Sequence, residues 1–343
     1  MPHFFSCLCI QTTNRERVFL SHIPKPRLKA KCKRYLQENT VGIQTVARMD
    51  DLVKFEMNLD PPSKELEAYA REHLDEDPDT KLQVLAEFRD LIFERGECSP
   101  HRLDDDFLLR FLRARRFVIR HAHRLLVNYY EFKEKNPEFY QDVYFDRLTA
   151  IGDADLISTQ PFHDQHGRRM LFYRLGHWDP AKISTRELFQ ATLVALELAL
   201  METSTQILGG ICLFDLADLK MKHVTQLNSK IAAQMIDIVV WTYPLRTHAV
   251  HIVNQSPVFK AGYSIVKPFM SKEVRKRIFF HGSDMKSLHK HIDPKYLPVR
   301  YGGVHPDYSY GGWVDYIRKT PSVLSELRDL GYTLEEQMNA ILV

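Results

Sequence analysis

The sequence predicts an α/β protein in which a small N-terminal helical bundle precedes a mainly parallel sheet. Three observations carry this. Apolar residues recur at helical spacing through residues 61–135. From about Met170, short apolar runs alternate with longer stretches of helical character, the pattern of βαβ crossovers. The last such stretch, Pro257–Met270, is unusually apolar and abuts the cationic run Ser271–Gly282.

The helical part opens at Pro61-Pro62-Ser63, a start signal, with Leu66, Tyr69, Ala70 and Leu74 as its first stripe. Val84, Leu85, Phe88, Leu91 and Ile92 form a second stripe. Asp104–Asp106 place carboxylates at the start of a third helix, ahead of Phe107, Leu108, Phe111 and Leu112. Ala122, Leu125, Leu126 and Tyr129 make the fourth.

Strands are expected at 170–175, 211–216, 249–254 and 277–280, with helices at Thr185–Met201, Gln226–Trp241 and Pro257–Phe269 between them. Leu188–Met201 is apolar nearly all round, so it is expected to be buried on more than one side, and Glu197 inside it needs a partner. Leu334, Met338 and Ile341 suggest a short docking helix within Tyr332–Val343. Residues 1–50 lack a sustained period, carry the basic run Lys25–Arg34, and read as a mobile extension.

Of the 343 residues, 44% are apolar and 27% charged, the balance of an ordinary globular protein. The 47 basic against 44 acidic side chains argue against a nucleic-acid partner, so any positive field must come from local clustering. Five scattered cysteines, Cys7 and Cys9 among them, read as reduced cytosolic thiols and not as a disulfide framework. No run approaches the ~18 apolar residues of a membrane span, and no signal peptide is expected.

Enzymatic and metal signatures are missing from the sequence: no P-loop, no G-x-G-x-x-G, no G-x-S-x-G and no H-E-x-x-H. His281, His289 and His291 therefore read as surface or hydrogen-bonded histidines, and Asp215 and Asp218 as loop formers. The protein is not expected to be an enzyme, nor to need a cofactor or metal. The basic groups are more informative. Arg246 precedes the third expected strand, and Lys272, Arg275, Lys276 and Arg277 lead into the fourth, so the two clusters should emerge at one strand-start edge. A strand at 275–280 would turn Arg275 and Arg277 to the same side. An apolar helix beside such a cluster suits the edge of a lipid pocket, where cations meet anionic headgroups.

The segments LDDDFLLRFLRARRF (103–117), RLLVNYYEF (124–132), GRRMLFYRLGHWDP (167–180), ICLFDL (211–216), YPLRTHAVHIVNQ (243–255), VKPFMSKEVRKRIFFHG (266–282) and LPVRYGG (297–303) resemble the CRAL-TRIO (Sec14-like) lipid-binding family. The branch resembled is the α-tocopherol transfer protein-like and clavesin-like one. The resemblance covers residues 60–305 and implies a CRAL-TRIO N-terminal helical domain at 51–140 and a lipid-binding domain at 141–306, whose parallel sheet and helices enclose an apolar cavity; outside it, residues 1–50 read as a variable extension and 307–343 as a tail with a short helix. It implies cavity positions at Phe189, Thr192, Leu196, Ile211, Phe214, Met235, Ile238, Val239 and Leu245. It puts a mobile lid at Val258 and Ile265, to which the apolar pattern adds Phe259, Tyr263, Val266 and Phe269. Headgroup-binding positions fall on Arg115, Arg246, His248, Glu273 and Arg277. His248 and Glu273 depart from the family's basic residues, and Lys272 and Arg275 stand near enough to compensate. Leu196 in place of a hydroxyl and Gly262 in place of a lid valine imply a roomier, less polar pocket. The implied function is a cytoplasmic carrier of a tocopherol-, retinoid- or phospholipid-like cargo, acting transiently at endosomal or other phosphoinositide-bearing membranes. The alternative is a phosphoinositide-binding trafficking adaptor.

Overall fold

The computed structural model describes residues 57–306 and 311–335. The expectations for residues 1–50, Met338 and Ile341 lie outside them. The four helical stripes become α1 (Lys64–Leu74), α2 (Lys81–Arg95), α3 (Asp105–Ala114) and α4 (Ile119–Lys135). Ser63 and Asp104 cap α1 and α3, their side-chain oxygens accepting from the Leu66 and Phe107 amides. Those bonds satisfy donors that the first helical turn leaves free. Phe88, Phe107, Phe111, Leu125 and Tyr129 join one core with residues of the α/β part.

The chain continues through β1 (Val143–Tyr144), α5 (Phe145–Asp153), β2 (Ile157–His163), β3 (Arg169–Arg174), α6 (Thr185–Met201), α7 (Thr203–Leu208) and β4 (Gly210–Asp215). It then forms α8 (Met221–Val224), α9 (Ser229–Ile236), β5 (Thr247–Val253), α10 (Pro257–Val266), α11 (Lys272–Arg275) and β6 (Ile278–Gly282). Last come α12 (Met285–His289), α13 (Gly311–Lys319), α14 (Pro321–Asp329) and β7 (Leu334–Glu335).

The main sheet runs β2-β3-β4-β5-β6, with β2 antiparallel to β3 and every later pair parallel. Parallel strands laid down in sequence order, each joined by a right-handed crossover, send all their helices to one face. That face carries α6, α9 and α10. The opposite face packs Met170, Phe172, Ile211, Leu213 and Val253 against Leu288, Ile292, Leu297 and Tyr301.

Several expectations are refined. The helix expected over Gln226–Trp241 begins at Ser229, where Asn228 caps it, and its last turn is a π-helix over Asp237–Thr242. The helix expected as a lid is α-helical to Val266 and 3₁₀ over Lys267–Phe269, where Pro268 removes a donor. Of the segment expected to hold a docking helix, Leu334 and Glu335 form a short strand parallel to β1; its remainder lies outside the described residues. The C-terminal segment before it holds two helices, α13 and α14, whose Trp313, Val314, Ile317, Val323 and Leu327 are buried in the common core. Glu197 does find a partner: Tyr129 Oη donates to it at 2.9 Å, and Lys133 donates to Tyr129 at 3.0 Å. Burial raises the Glu197 pKa, and the Lys133 and Arg110 charges counter that.

Candidate binding cavity and its cationic rim

A cavity of about 840 Å³ opens between the sheet and the helices of its crossover face. α6 supplies Thr185, Leu188, Phe189 and Thr192, spaced so that one helical face looks inward. The strands supply Tyr173, Phe214, Val250 and Ile252. α9 and the π turn add Ile231, Met235, Ile238 and Val239, and α10 adds Phe259, Gly262, Tyr263 and Val266. The walls are overwhelmingly apolar. Within the interior, Tyr173 donates to the Thr192 hydroxyl at 3.2 Å and stacks on Phe214 at 4.8 Å.

Most expected cavity positions therefore border one void: Phe189, Thr192, Phe214, Met235, Ile238, Val239 and Leu245. Ile211 and Leu196 do not. Ile211 is three residues from Phe214 on β4, and side chains on a strand alternate, so the two face opposite sides of the sheet. Ile211 belongs to the layer with Met170, Phe172 and Leu213. Leu196 lies one helical turn beyond Thr192, beside a separate void of about 30 Å³ lined also by Leu171, Ala195 and Ala199. Of the residues expected in a lid, Phe259, Tyr263 and Val266 line the large cavity, whereas Val258 and Ile265 do not and Phe269 is exposed. Tyr173, Leu188 and Ile231 were not anticipated. Leu188 could have been found, since 185, 188, 189 and 192 form one helical stripe.

The rim is cationic. Arg115, Arg116, Arg246, His248 and Arg277 all border the same cavity. α3 ends in two successive left-handed residues, Arg116 (φ 51°) and Phe117 (φ 55°), a strained turn that brings Arg115 and Arg116 to the void. Arg115 Nη2 donates to the Val240 carbonyl at 3.2 Å. Arg246 Nη1 donates to the Ile207 carbonyl at 2.8 Å, and Arg277 Nη1 to the Thr247 carbonyl at 3.0 Å. Gly209 permits the first of these: at φ 82° its missing Cβ would lie 2.3 Å from the Arg246 carbonyl oxygen.

Among the described residues, no carboxylate lies within ion-pair distance of Arg115, Arg116, Arg246 or Arg277, although many other arginines are paired. Burial, then the Arg277 charge, lowers the Arg115 pKa. Burial likewise lowers that of Arg246, with Tyr69 pulling the other way and Arg116, Arg277 and Arg168 adding repulsion to the burial effect. Burial also holds His248 below its ordinary value, with Arg168, His166 and Arg277 acting the same way and Asp164 opposing them. Such mutual repulsion is relieved when an anion arrives.

The expected convergence of Arg246 and Arg277 at one strand-start edge is what β5 and β6 produce. The strand placement expected of Arg275 is corrected. Residues 272–275 form the helical turn α11, so Arg275 does not share a strand with Arg277, and neither Lys272 nor Arg275 lines the cavity. Glu273 pairs with Lys276 at 2.9 Å. Arg113, next in sequence to the rim, is committed elsewhere, gripping Glu76 at 2.7 and 2.8 Å and Gln206 at 2.6 Å.

The remaining candidates have structural partners. Asp215 accepts from the Ala217 amide and the Asn254 side chain. His281 bonds to His251 and Ser287, and His289 to the Tyr301 carbonyl. Burial pushes the Cys212 thiol up to about 12, the opposite of a nucleophile's activation. No helix among the described residues is long and apolar enough to cross a membrane.

Comparison with known proteins agrees with this geometry. Residues 155–303 match the CRAL/TRIO domain and residues 63–128 the CRAL/TRIO N-terminal domain. Clavesin-1 of Rattus norvegicus is 34% identical over 249 residues, spanning 71% of this chain and 70% of that protein. The alpha-tocopherol transfer protein-like protein of Mus musculus is 31% identical over 287 residues, spanning 81% and 84%. Clavesin-2 of Homo sapiens is 32% identical over 249 residues, spanning 71% and 75%. The chain thus belongs to the CRAL/TRIO lipid-binding family.

Proposed function

We propose that this protein is a non-enzymatic carrier that encloses one lipophilic molecule and exchanges it at phosphoinositide-bearing membranes. One observation carries the reading: an apolar cavity of about 840 Å³ whose rim bears arginines without carboxylate partners among the described residues. A cavity of that size suits a lipid-sized ligand, and burial of apolar ligand surface at about 25 cal/mol per Å² drives uptake without many polar contacts. The rim supplies the complementary property, since clustered guanidinium groups bind phosphates through charge-assisted bonds. The names of the relatives, a tocopherol transfer protein-like protein among them, favour transfer of a lipid as the activity.

Transfer of a labelled lipid from neutral donor vesicles to acceptors with or without phosphoinositide tests this. The carrier accelerates transfer, more so to phosphoinositide acceptors, and Arg246→Ala with Arg277→Ala removes that preference while uptake without vesicles stays near wild type. High salt weakens the preference, because exposed charge pairing is screened. A double variant that keeps the full preference contradicts the assignment of the rim. Vesicle binding with no transfer of any lipid supports the adaptor reading, in which the headgroup alone is the ligand.

A further inference from the structure

α9 ends in a π-helical turn, Asp237–Thr242, a geometry rare in proteins and frequent at functional sites. The turn divides its apolar residues. Ile238 is buried, Val239 and Val240 border the cavity, and Trp241 stands 50% exposed. The other two tryptophans of the chain, Trp178 and Trp313, are 6% and 1% exposed. Val239, beside Trp241, is itself 40% exposed, so this cavity wall turns an apolar edge outward.

The helical bundle fixes that edge. Arg115 Nη2 donates to the Val240 carbonyl, and Asn128 Nδ2 donates to the Trp241 carbonyl at 3.0 Å. The indole is thus tied to the same backbone that Arg115 grips, next to rim arginines that have no carboxylate partner among the described residues. Burial raises the pKa of Asp237, the acidic residue of the turn, and the Lys135 charge opposes that rise.

We propose that the π-helical turn, led by Trp241, is an insertion point that seats this protein on an anionic lipid bilayer. The inference rests on the reading of exchange at anionic membranes and assigns membrane contact to a cavity wall other than the lid. The chemistry is complementary at short range. An indole favours the boundary between headgroups and acyl chains, where its ring is buried and its N–H stays hydrated. The neighbouring arginines meet the phosphates at that depth, and their long apolar stems follow the ring. Because two side chains already hold the turn's carbonyls, Trp241 enters pre-ordered and little conformational freedom is lost on docking.

The test uses the full chain and phosphatidylcholine vesicles with or without phosphatidylserine and phosphoinositide, carrying brominated acyl chains that quench indole emission. Emission is expected to fall on anionic vesicles and to remain on neutral ones. Trp241→Ala should weaken partition to anionic vesicles about tenfold and leave an emission that bromine does not quench. Trp241→Phe should retain most of the binding, and an unchanged melting temperature for both variants shows that the fold is intact. Wild-type partition by Trp241→Ala, or quenching that survives that substitution, overturns the proposal. Failure of the wild-type protein to bind anionic vesicles also overturns it, and stoichiometric cargo in that preparation would leave the cavity assignment standing.

Discussion

His251 shows how a single buried group writes itself into stability. It is 1% exposed on β5, its Nδ1 is 2.9 Å from His281 Nε2, and the His291 ring centroid is 5.2 Å away. Burial, then the His281, His291 and His248 charges, lowers its pKa from 6.5 to about 3. Between those values the unfolded chain binds a proton that the folded chain refuses, so this contribution to stability is present above pH 6.5 and is lost as pH falls toward 3. One such proton tilts stability by about 1.4 kcal/mol per pH unit. His251→Gln should therefore flatten the acid limb of a stability-versus-pH curve measured by urea unfolding; identical limbs would remove His251 from the account. The residue scale also shows where sequence reading stops. Phe189, Thr192 and Phe214 were legible as cavity positions, but Ile211 was placed with Phe214 despite a spacing of three on a strand, which period-two alternation forbids. Arg113 lies two residues before Arg115 in sequence, and only the fold shows that Glu76, 37 residues upstream, claims it.

Among the elements, helix α10, expected as a lid, was legible as an apolar helix with more apolar surface than one sheet face can bury. Its kink to 3₁₀ follows from Pro268. The π turn was not legible, since DIVVWT reads as ordinary helix until the bundle's Arg115 and Asn128 are seen holding its carbonyls. Antiparallel β2 was missed because ISTQPFH mixes polar residues and a proline into an edge strand. Gly262 gives the lid a test. It is buried, and a Cβ there would lie 3.5 Å from Leu227 Cδ1 and 3.6 Å from Val224 Cγ2, ordinary contact distances. Gly262→Ala should stabilise α10 by about 1 kcal/mol without a clash. Hydrogen exchange of the lid amides should slow about fivefold, and wild-type lid amides should exchange faster than those of α9. Unchanged or faster lid exchange in Gly262→Ala would contradict a lid that opens as a helical unit.

At the scale of the whole molecule, cavity and rim are products of topology. Three successive parallel crossovers deliver α6, α9 and α10 to one face, where they stand off the sheet and leave a void. The strand starts of β5 and β6 bring Arg246 and Arg277 together at its edge. The sequence pattern foretold the parallel order and that edge, because strand and helix lengths were readable. The family resemblance placed Arg115 beside them, but neither it nor the pattern foretold that Arg116 joins the rim through a left-handed turn, which depends on packing between bundle and sheet. The central claim is that the void holds cargo. Organic extraction of the purified full-length protein, followed by mass spectrometry, tests it directly when wild type is compared with Thr192→Trp. Thr192 faces the void from α6, and the larger ring should occupy ligand space; a solid core would instead lose about 1–3 kcal/mol to overpacking. One lipophilic molecule is expected per wild-type chain, and almost none in a Thr192→Trp protein that melts normally. Equal lipid in both proteins, or phosphoinositide alone in the wild type, would contradict the claim.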